Sequence, residues 1–90
     1  MAYSQNVIVI AGRKQFQISA NSRSLPLDAG TYDVWAATDA YIDVAPSDAA
    51  TPTNTTGYLI PGGAGIISVR IAKDGLTIGA SAAISVHRVE

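Results

Sequence analysis

Residues 30–45 read GTYDVWAATDAYIDVA, and this stretch decides the fold prediction. Two runs rich in aromatic and β-branched residues, 31–37 and 40–45, are separated by Thr38-Asp39. Successive side chains of a strand point to opposite faces, so each run presents one apolar face and one mixed face. The two-residue gap predicts a tight hairpin, although Thr-Asp is weaker turn chemistry than Asn-Gly.

The alternation assigns a side to each residue of this predicted hairpin. The apolar positions are Tyr32, Val34 and Ala36 in the first run, and Ile42 and Val44 in the second. The opposite positions carry Trp35, which is the only tryptophan, together with Tyr41 and the acids Asp33 and Asp43. We therefore expect one side of the hairpin to fill a core and the other to meet a neighbour.

The rest of the chain also favours strands. Isoleucine and valine total seventeen residues against four leucines, and no window shows the i, i+3, i+4, i+7 stripe of a long helix. The predicted strands are 6–10, 15–20, 31–37, 40–45, 57–60, 64–72, 76–79 and 82–89. About eight short strands at roughly ten-residue spacing predict one all-β domain over residues 1–90, an antiparallel β-sandwich or small barrel of jelly-roll type.

Three connections have distinct compositions. Leu25-Pro26-Leu27 interrupts a polar link, so we expect an edge or loop that places both leucines on the core. Residues 46–57, PSDAATPTNTTG, predict a long exposed loop on one rim. Lys73-Asp74-Gly75 predicts a hairpin turn in which Gly75 adopts positive φ.

Size and charge indicate a protein that packs against other chains. Ninety residues without cysteine form only a modest core, and no disulfide or Cys/His metal cluster reinforces it. Charged residues make up 14% of the chain, the net charge is −1 and 48% of the residues are apolar, so we expect part of the surface to be covered by partners. The apolar strand at Val7, Ile8 and Val9 is a candidate interaction arm.

Several partners and locations are not expected. No apolar run approaches the roughly 18 residues that span a bilayer, and the basic pair Arg13-Lys14 follows the first apolar stretch, the reverse of a secretory signal. Nucleic acid requires a basic stripe that this chain does not have.

The sequence offers no recognisable catalytic, cofactor or metal site. His87, the single histidine, has only Ser85 on its strand face and no nucleophile elbow, so we expect a surface or interface histidine. The aspartates lack the spacing of a calcium loop, and Asp33 and Asp43 are expected to face each other across the hairpin or to pair with Arg70 or Arg88. We predict that the chain is not an enzyme and uses no cofactor.

Aromatic side chains are the remaining candidates for recognition. Trp35, Tyr41 and Tyr58 can anchor a protein interface, in which Trp and Tyr are enriched. The same three residues could stack on sugar rings, as in a carbohydrate-binding module. Core or interface use is the favoured interpretation.

From residue 31 onward, the chain shows a distinctive order of features: Trp35, Ala36, Asp39, Tyr41 and Ile42 in a strand, Pro46, Ala50 and Thr51 in a loop, Tyr58, Leu59, Pro61 and Gly63 at a turn, and Val86, Val89 and Glu90 at the end. This order resembles small β-sandwich virion proteins of tailed bacteriophages. The chain departs from that pattern at Ile60, which is inserted before Pro61. The resemblance covers about the last two-thirds of the chain and involves common sheet residues.

The resemblance implies a non-enzymatic protein on the capsid surface, made in the host cytoplasm, that decorates and stabilises (cements) the capsid. Its partners would be the major capsid protein and further copies of itself, with a trimer as one expected form. A head–tail adaptor, tail or fibre-base component of the same fold is the first alternative, and the carbohydrate-binding module is the second.

Overall fold

The computed structural model describes residues 15–89, so the predicted strand 6–10 and its candidates Val7, Ile8 and Val9 lie outside the described residues. Eight strands and no helix occur in the described part. The strands are β1 (Gln15–Ile18), β2 (Ser22–Arg23), β3 (Gly30–Ala36), β4 (Ala40–Ala45), β5 (Tyr58–Ile60), β6 (Ile67–Ile71), β7 (Thr77–Ala80) and β8 (Ile84–Arg88).

The strands form two antiparallel sheets of four, which confirms the predicted β-sandwich. Sheet A has the order β1-β8-β3-β6, and sheet B has the order β2-β7-β4-β5. Four of the pairs are nested along the chain: β1 with β8, β2 with β7, β3 with β6, and β4 with β5. A long hairpin rolled up on itself produces this nesting, which is the topology of an eight-stranded jelly roll.

The predicted central hairpin is wrong. β3 and β4 do not pair, because β3 belongs to sheet A and β4 to sheet B, so residues 37–39 cross from one sheet to the other. Gly62 occupies the space beside this crossing: a Cβ on Gly62 would lie 2.6 Å from Thr38 Cα. Its N–H donates to Asp39 Oδ1 at 2.8 Å. Thr38-Asp39 therefore forms an arch that is held by a distant segment of the chain.

The predicted turn at 73–75 is wrong in the same way. Gly75 has φ of +95°, as expected, but the segment joins β6 of sheet A to β7 of sheet B rather than closing a hairpin. Leu27 packs against the core, whereas Leu25 is 82% exposed, so only one of the two leucines fulfils the prediction.

The core lies between the two sheets and follows the predicted alternation. The buried apolar residues are Ile18, Tyr32, Val34, Ala36, Ala40, Ile42, Ile60, Ile71, Ile78, Ala80, Ile84 and Val86. Tyr32 is the largest of them, and its hydroxyl donates to the carbonyl oxygen of Asp28 at 2.7 Å. The Arg88 guanidinium lies 5.9 Å from the centre of the Tyr32 ring, a cation–π distance.

Candidate interaction surface

One side of the sandwich exposes large apolar side chains. β5 and β6 are edge strands of the two sheets, and residues 61–66 join them directly. Tyr58 is 81% exposed, Leu59 47%, Ile66 66% and Ile67 37%. We call these four residues the β5–β6 side. Large apolar side chains left exposed near two neighbouring edge strands make this side a candidate interaction site, because they gain free energy when a partner covers them.

Strand register places Tyr58 of β5 and Ile67 of β6 at the same distance from the arch. Tyr58 pairs with Ile42 of β4, and Ile67 pairs with Val34 of β3. Val34 and Ile42 stand equally far from the arch that joins β3 to β4. Tyr58 and Ile67 therefore lie at corresponding positions along the two facing sheets. Ile60, which is nearer the arch, is buried.

The segment between β5 and β6 is fixed to the arch. The N–H of Gly63 donates to the carbonyl oxygen of Ala36 at 2.8 Å, and the N–H of Gly62 donates to Asp39 as described above. Gly63 has φ of +70°, a left-handed conformation that glycine adopts without steric cost. The β5–β6 side is consequently a preformed surface rather than a loose loop.

Trp35 continues the apolar surface onto the outer face of sheet A. It is 42% exposed and pairs with Ser85 of β8. The β3–β6 register, in which Val34 pairs with Ile67, places Trp35 next to Ile66. A half-exposed tryptophan beside an exposed isoleucine has the composition of an interface centre.

The outer face of sheet A is otherwise polar. One row across its four strands contains Gln15, His87, Asp33 and Ser68. Ser68 Oγ donates to Asp33 Oδ1 at 2.9 Å. His87 is half-buried, and its Nε2 is buried without a hydrogen-bond partner. Of the two predicted arrangements of these acids, the one in which Asp33 and Asp43 face each other across a hairpin is wrong, because the two acids belong to different sheets.

The outer face of sheet B is covered by the loop at residues 46–57. This loop is predicted as an exposed rim, yet Pro52 within it is buried. The Arg23 side chain holds the loop: its Nε donates to the carbonyl oxygen of Ala49 at 3.0 Å and its Nη2 to that of Ala50 at 2.8 Å. The prediction is therefore wrong for the middle of the loop, because an arginine of β2 binds its backbone.

Arg23 also forms the best-buried ion pair of the described residues. Its Nη2 donates to Asp43 Oδ2 at 2.8 Å, and its Nη1 donates to Thr77 Oγ1 at 3.2 Å. Asp43 Oδ1 lies 2.8 Å from the same Nη2 but receives no well-directed hydrogen bond. The Arg23 side chain is 7% exposed and that of Asp43 is 21% exposed. Removing one member of such a pair leaves the other buried and uncompensated.

An open pocket of about 290 Å³ lies at the end of sheet A away from the arch. Gly30, Arg70 and Arg88 contribute to its wall. The Arg88 guanidinium is already engaged by Asp28 at 3.4 Å and by the carbonyl oxygen of Ala29 at 3.1 Å. Arg70 is exposed, and its guanidinium forms no hydrogen bond or ion pair within residues 15–89.

The three aromatic candidates do not form one platform. Trp35 lies on the outer face of sheet A, Tyr41 belongs to β4 of sheet B and is half-buried, and Tyr58 stands at the β5 edge. Trp35 and Tyr58 belong to the exposed surface described above, whereas Tyr41 packs beside Gly57 and its loop. A single sugar-binding row that uses all three is therefore not formed.

The sequence pattern does not predict that Ile66 and Ile67 are exposed. It also does not predict the Arg23 cluster, in which Arg23 binds Asp43, Thr77 and the backbone of Ala49 and Ala50. The pattern places Ile66 and Ile67 in a strand without any indication that they are exposed. Two signals point to the cluster: Asp43 within an apolar run, and Gly79 within a strand. Glycine inside a strand often marks the close approach of another group.

Neither a metal site nor a membrane-spanning helix is found in the described part of the chain. No group of three potential metal ligands occurs within residues 15–89. No helix in that range is long and apolar enough to cross a bilayer.

Compared with known proteins, the chain matches no family model, no curated protein and no solved structure. The resemblance to phage virion proteins therefore depends on the residues quoted above alone.

Proposed function

We propose that this chain is a non-enzymatic structural protein that assembles with other protein chains through the β5–β6 side. The observation that carries the proposal is the exposure, from 37% to 81%, of Tyr58, Leu59, Ile66 and Ile67 on one preformed side of a small sandwich. Trp35 adds an aromatic anchor at the border of that surface. The Arg23 cluster, by contrast, is occupied by contacts within the chain and serves the fold.

The energetics favour a contact of moderate strength per copy. Complete burial of one large apolar side chain contributes about 1.5–3 kcal/mol. Association costs several kilocalories per mole in lost translational and rotational freedom. The four side chains are already partly buried, so each contributes less than this full value. A lattice that binds many copies is the setting in which such a modest contact is sufficient.

The more specific proposal is a decoration protein of a tailed-phage capsid, with the major capsid protein and further copies of itself as partners. It is supported by the resemblance at Trp35, Tyr41, Pro61 and the terminal strand, and by the use of jelly rolls in viral capsids. Because one fold serves many functions, the fold supports this proposal only together with the exposed side.

Copy number in the virion tests this proposal. We expect quantitative mass spectrometry of purified particles of the phage that encodes the chain to give on the order of hundreds of copies, as a symmetric shell requires. A dozen copies or fewer would instead indicate a head–tail adaptor, tail or fibre-base component. Absence from the purified particle would contradict a virion role altogether.

A further inference from the structure

β6 presents the longest open strand edge in the described part of the chain. Its residues Ile67–Ile71 pair with β3 on one side, and no strand from residues 15–89 pairs with the other side. An open edge exposes unpaired N–H and C=O groups, and proteins usually protect it with proline, charged side chains (especially lysine) or a bulge. β6 contains no proline or lysine, and its one charged residue is Arg70. Of the other edge strands, β1 has four residues, β5 three and β2 two.

Two opposite charges lie close to this edge on the outer face of sheet A. Arg70 of β6 pairs with Thr31, and Asp33 of β3 pairs with Ser68, so all four side chains point outward. The Asp33 carboxylate accepts a hydrogen bond from Ser68, whereas the Arg70 guanidinium has no hydrogen bond or ion pair within residues 15–89. The edge therefore carries an available cation and, one strand further in, an acid.

We propose that a second copy of this chain docks on β6 by antiparallel β6–β6 pairing across a two-fold axis at Val69, which joins the two A sheets into one. The proposal identifies one partner for the β5–β6 side and in that respect rests on the proposed assembly function. It requires no loop rearrangement, because both edges already have extended backbone.

Strand geometry and charge select this register. A two-fold axis perpendicular to the sheet lies midway between the two β6 strands. It keeps like faces together only if it is level with a residue that pairs with its own copy, and not level with the bond between two residues. An axis at Arg70 would set the two guanidinium groups opposite each other, which is unfavourable. An axis at Val69 pairs all five residues and sets Arg70 of each copy opposite Ser68 of the other.

In this register, Arg70 can reach Asp33 of the second copy. The two residues are separated by two strand spacings, roughly 9.6 Å between backbones. The long arginine side chain and the carboxylate together span this distance, with Ser68 between them. On the inner face, Ile67 of each copy would pair with Ile71 of the other and lose its exposed surface.

Charge reversal in two different variants tests the proposal by sedimentation equilibrium of the full chain. We expect the wild type to approach twice its 9.3 kDa mass as its concentration rises through the micromolar range. Arg70→Glu alone and Asp33→Arg alone should each raise the dimer dissociation constant at least about 10-fold, because two contacts become repulsive. An equimolar mixture of the two variants should restore dimers. In the mixed dimer the introduced glutamate faces the introduced arginine and the unchanged Arg70 faces the unchanged Asp33, so both contacts join opposite charges.

The matched control is Lys73→Glu, which makes the same charge change in the exposed connection after β6 and should leave the dissociation constant unchanged. Circular dichroism of each variant checks folding, and restoration in the mixture excludes a simple folding defect. A monomeric or trimeric wild type, or variants that do not complement each other, would overturn the proposal. A monomer that is still abundant in virions would overturn the dimer and leave the assembly function standing.

Discussion

Arg23 and Asp43 form an ion pair across Gly79, with Arg23 Nη2 2.8 Å from the carboxylate. The three residues share one row of sheet B, in which Arg23 pairs with Gly79 and Gly79 pairs with Asp43. Because glycine has no side chain, the guanidinium and the carboxylate meet above its Cα. The same arginine then binds the backbone of the loop at 46–57, so one side chain joins three parts of the chain.

Replacing Arg23 with alanine should destabilise the fold strongly. The change leaves Asp43 and the carbonyl oxygens of Ala49 and Ala50 without their donor. We expect a loss of about 3 kcal/mol in the free energy of unfolding, the lower end for a broken buried pair because Asp43 is partly exposed. Urea unfolding measures this loss, and limited proteolysis should show earlier cleavage within residues 46–57. Lys73→Ala, at an exposed turn, should change the free energy by less than about 0.5 kcal/mol.

Gly79→Ala should destabilise the fold by displacing the ion pair. A Cβ at this position would lie 2.8 Å from Arg23 Cζ and 2.8 Å from Asp43 Oδ1. Forcing a side chain into packed space typically costs about 1–3 kcal/mol. In an Arg23→Ala background the methyl group meets no guanidinium, so the same substitution should cost less. Equal costs in the two backgrounds, measured by urea unfolding, would contradict a role for Gly79 as space for the pair.

Tyr32 should make stability fall at alkaline pH. Burial raises the pKa of its hydroxyl above the ordinary value of 10.0, with a smaller contribution from Asp28, while Arg88 partly offsets the shift. Above pH 10 the unfolded chain releases this proton and the folded chain keeps it, so rising pH favours unfolding. The stabilising contribution is complete below pH 10 and is lost as the pH rises through the folded pKa.

Tyr32→Phe provides the control for that titration. It should cost about 1 kcal/mol at neutral pH, because the hydrogen bond to Asp28 is lost. Above pH 10 its free energy of unfolding should decline less steeply than that of the wild type. Parallel pH profiles for the two proteins in chemical denaturation would show that Tyr32 is not the titrating group.

Deleting residues 1–10 should affect assembly more than folding. All eight described strands lie within residues 15–88, so the deletion removes none of them. Thermal unfolding of the dilute protein should change little, whereas capsid binding or self-association should weaken. Equal losses in both measurements would contradict the prediction that Val7, Ile8 and Val9 form an interaction arm.

The sequence predicts the strands of this protein better than their partners. Period-two alternation correctly assigns Tyr32, Val34 and Ala36 to the core, because burial on one face leaves a local signature. Whether two successive strands form a hairpin or an arch depends on contacts made elsewhere. Thr38-Asp39 crosses between the sheets because Gly62 packs against it, and no local pattern encodes that contact.

The candidate surface is predictable only in part for the same reason. Trp35 and Tyr58 are identifiable because aromatic residues are enriched at interfaces, and the structure leaves both exposed. Ile66 and Ile67 have the composition of core residues, and only their place at an edge strand exposes them. Arg23 lies in a polar segment, NSRS, and nothing in the sequence around it indicates that it pairs with Asp43 of another strand.

Because we propose a tailed-phage capsid as the partner, co-sedimentation with undecorated capsids of that phage tests the central claim most directly, namely that the β5–β6 side binds other chains. The compared proteins are the wild type and the double variant Leu59→Ser with Ile66→Ser. The control is Leu25→Ser, which also replaces an exposed leucine by serine but lies away from that side. We predict that the wild type and Leu25→Ser bind alike and that the folded double variant loses at least about 10-fold in affinity, because it removes two apolar contacts. Undiminished binding by the folded double variant would contradict the account.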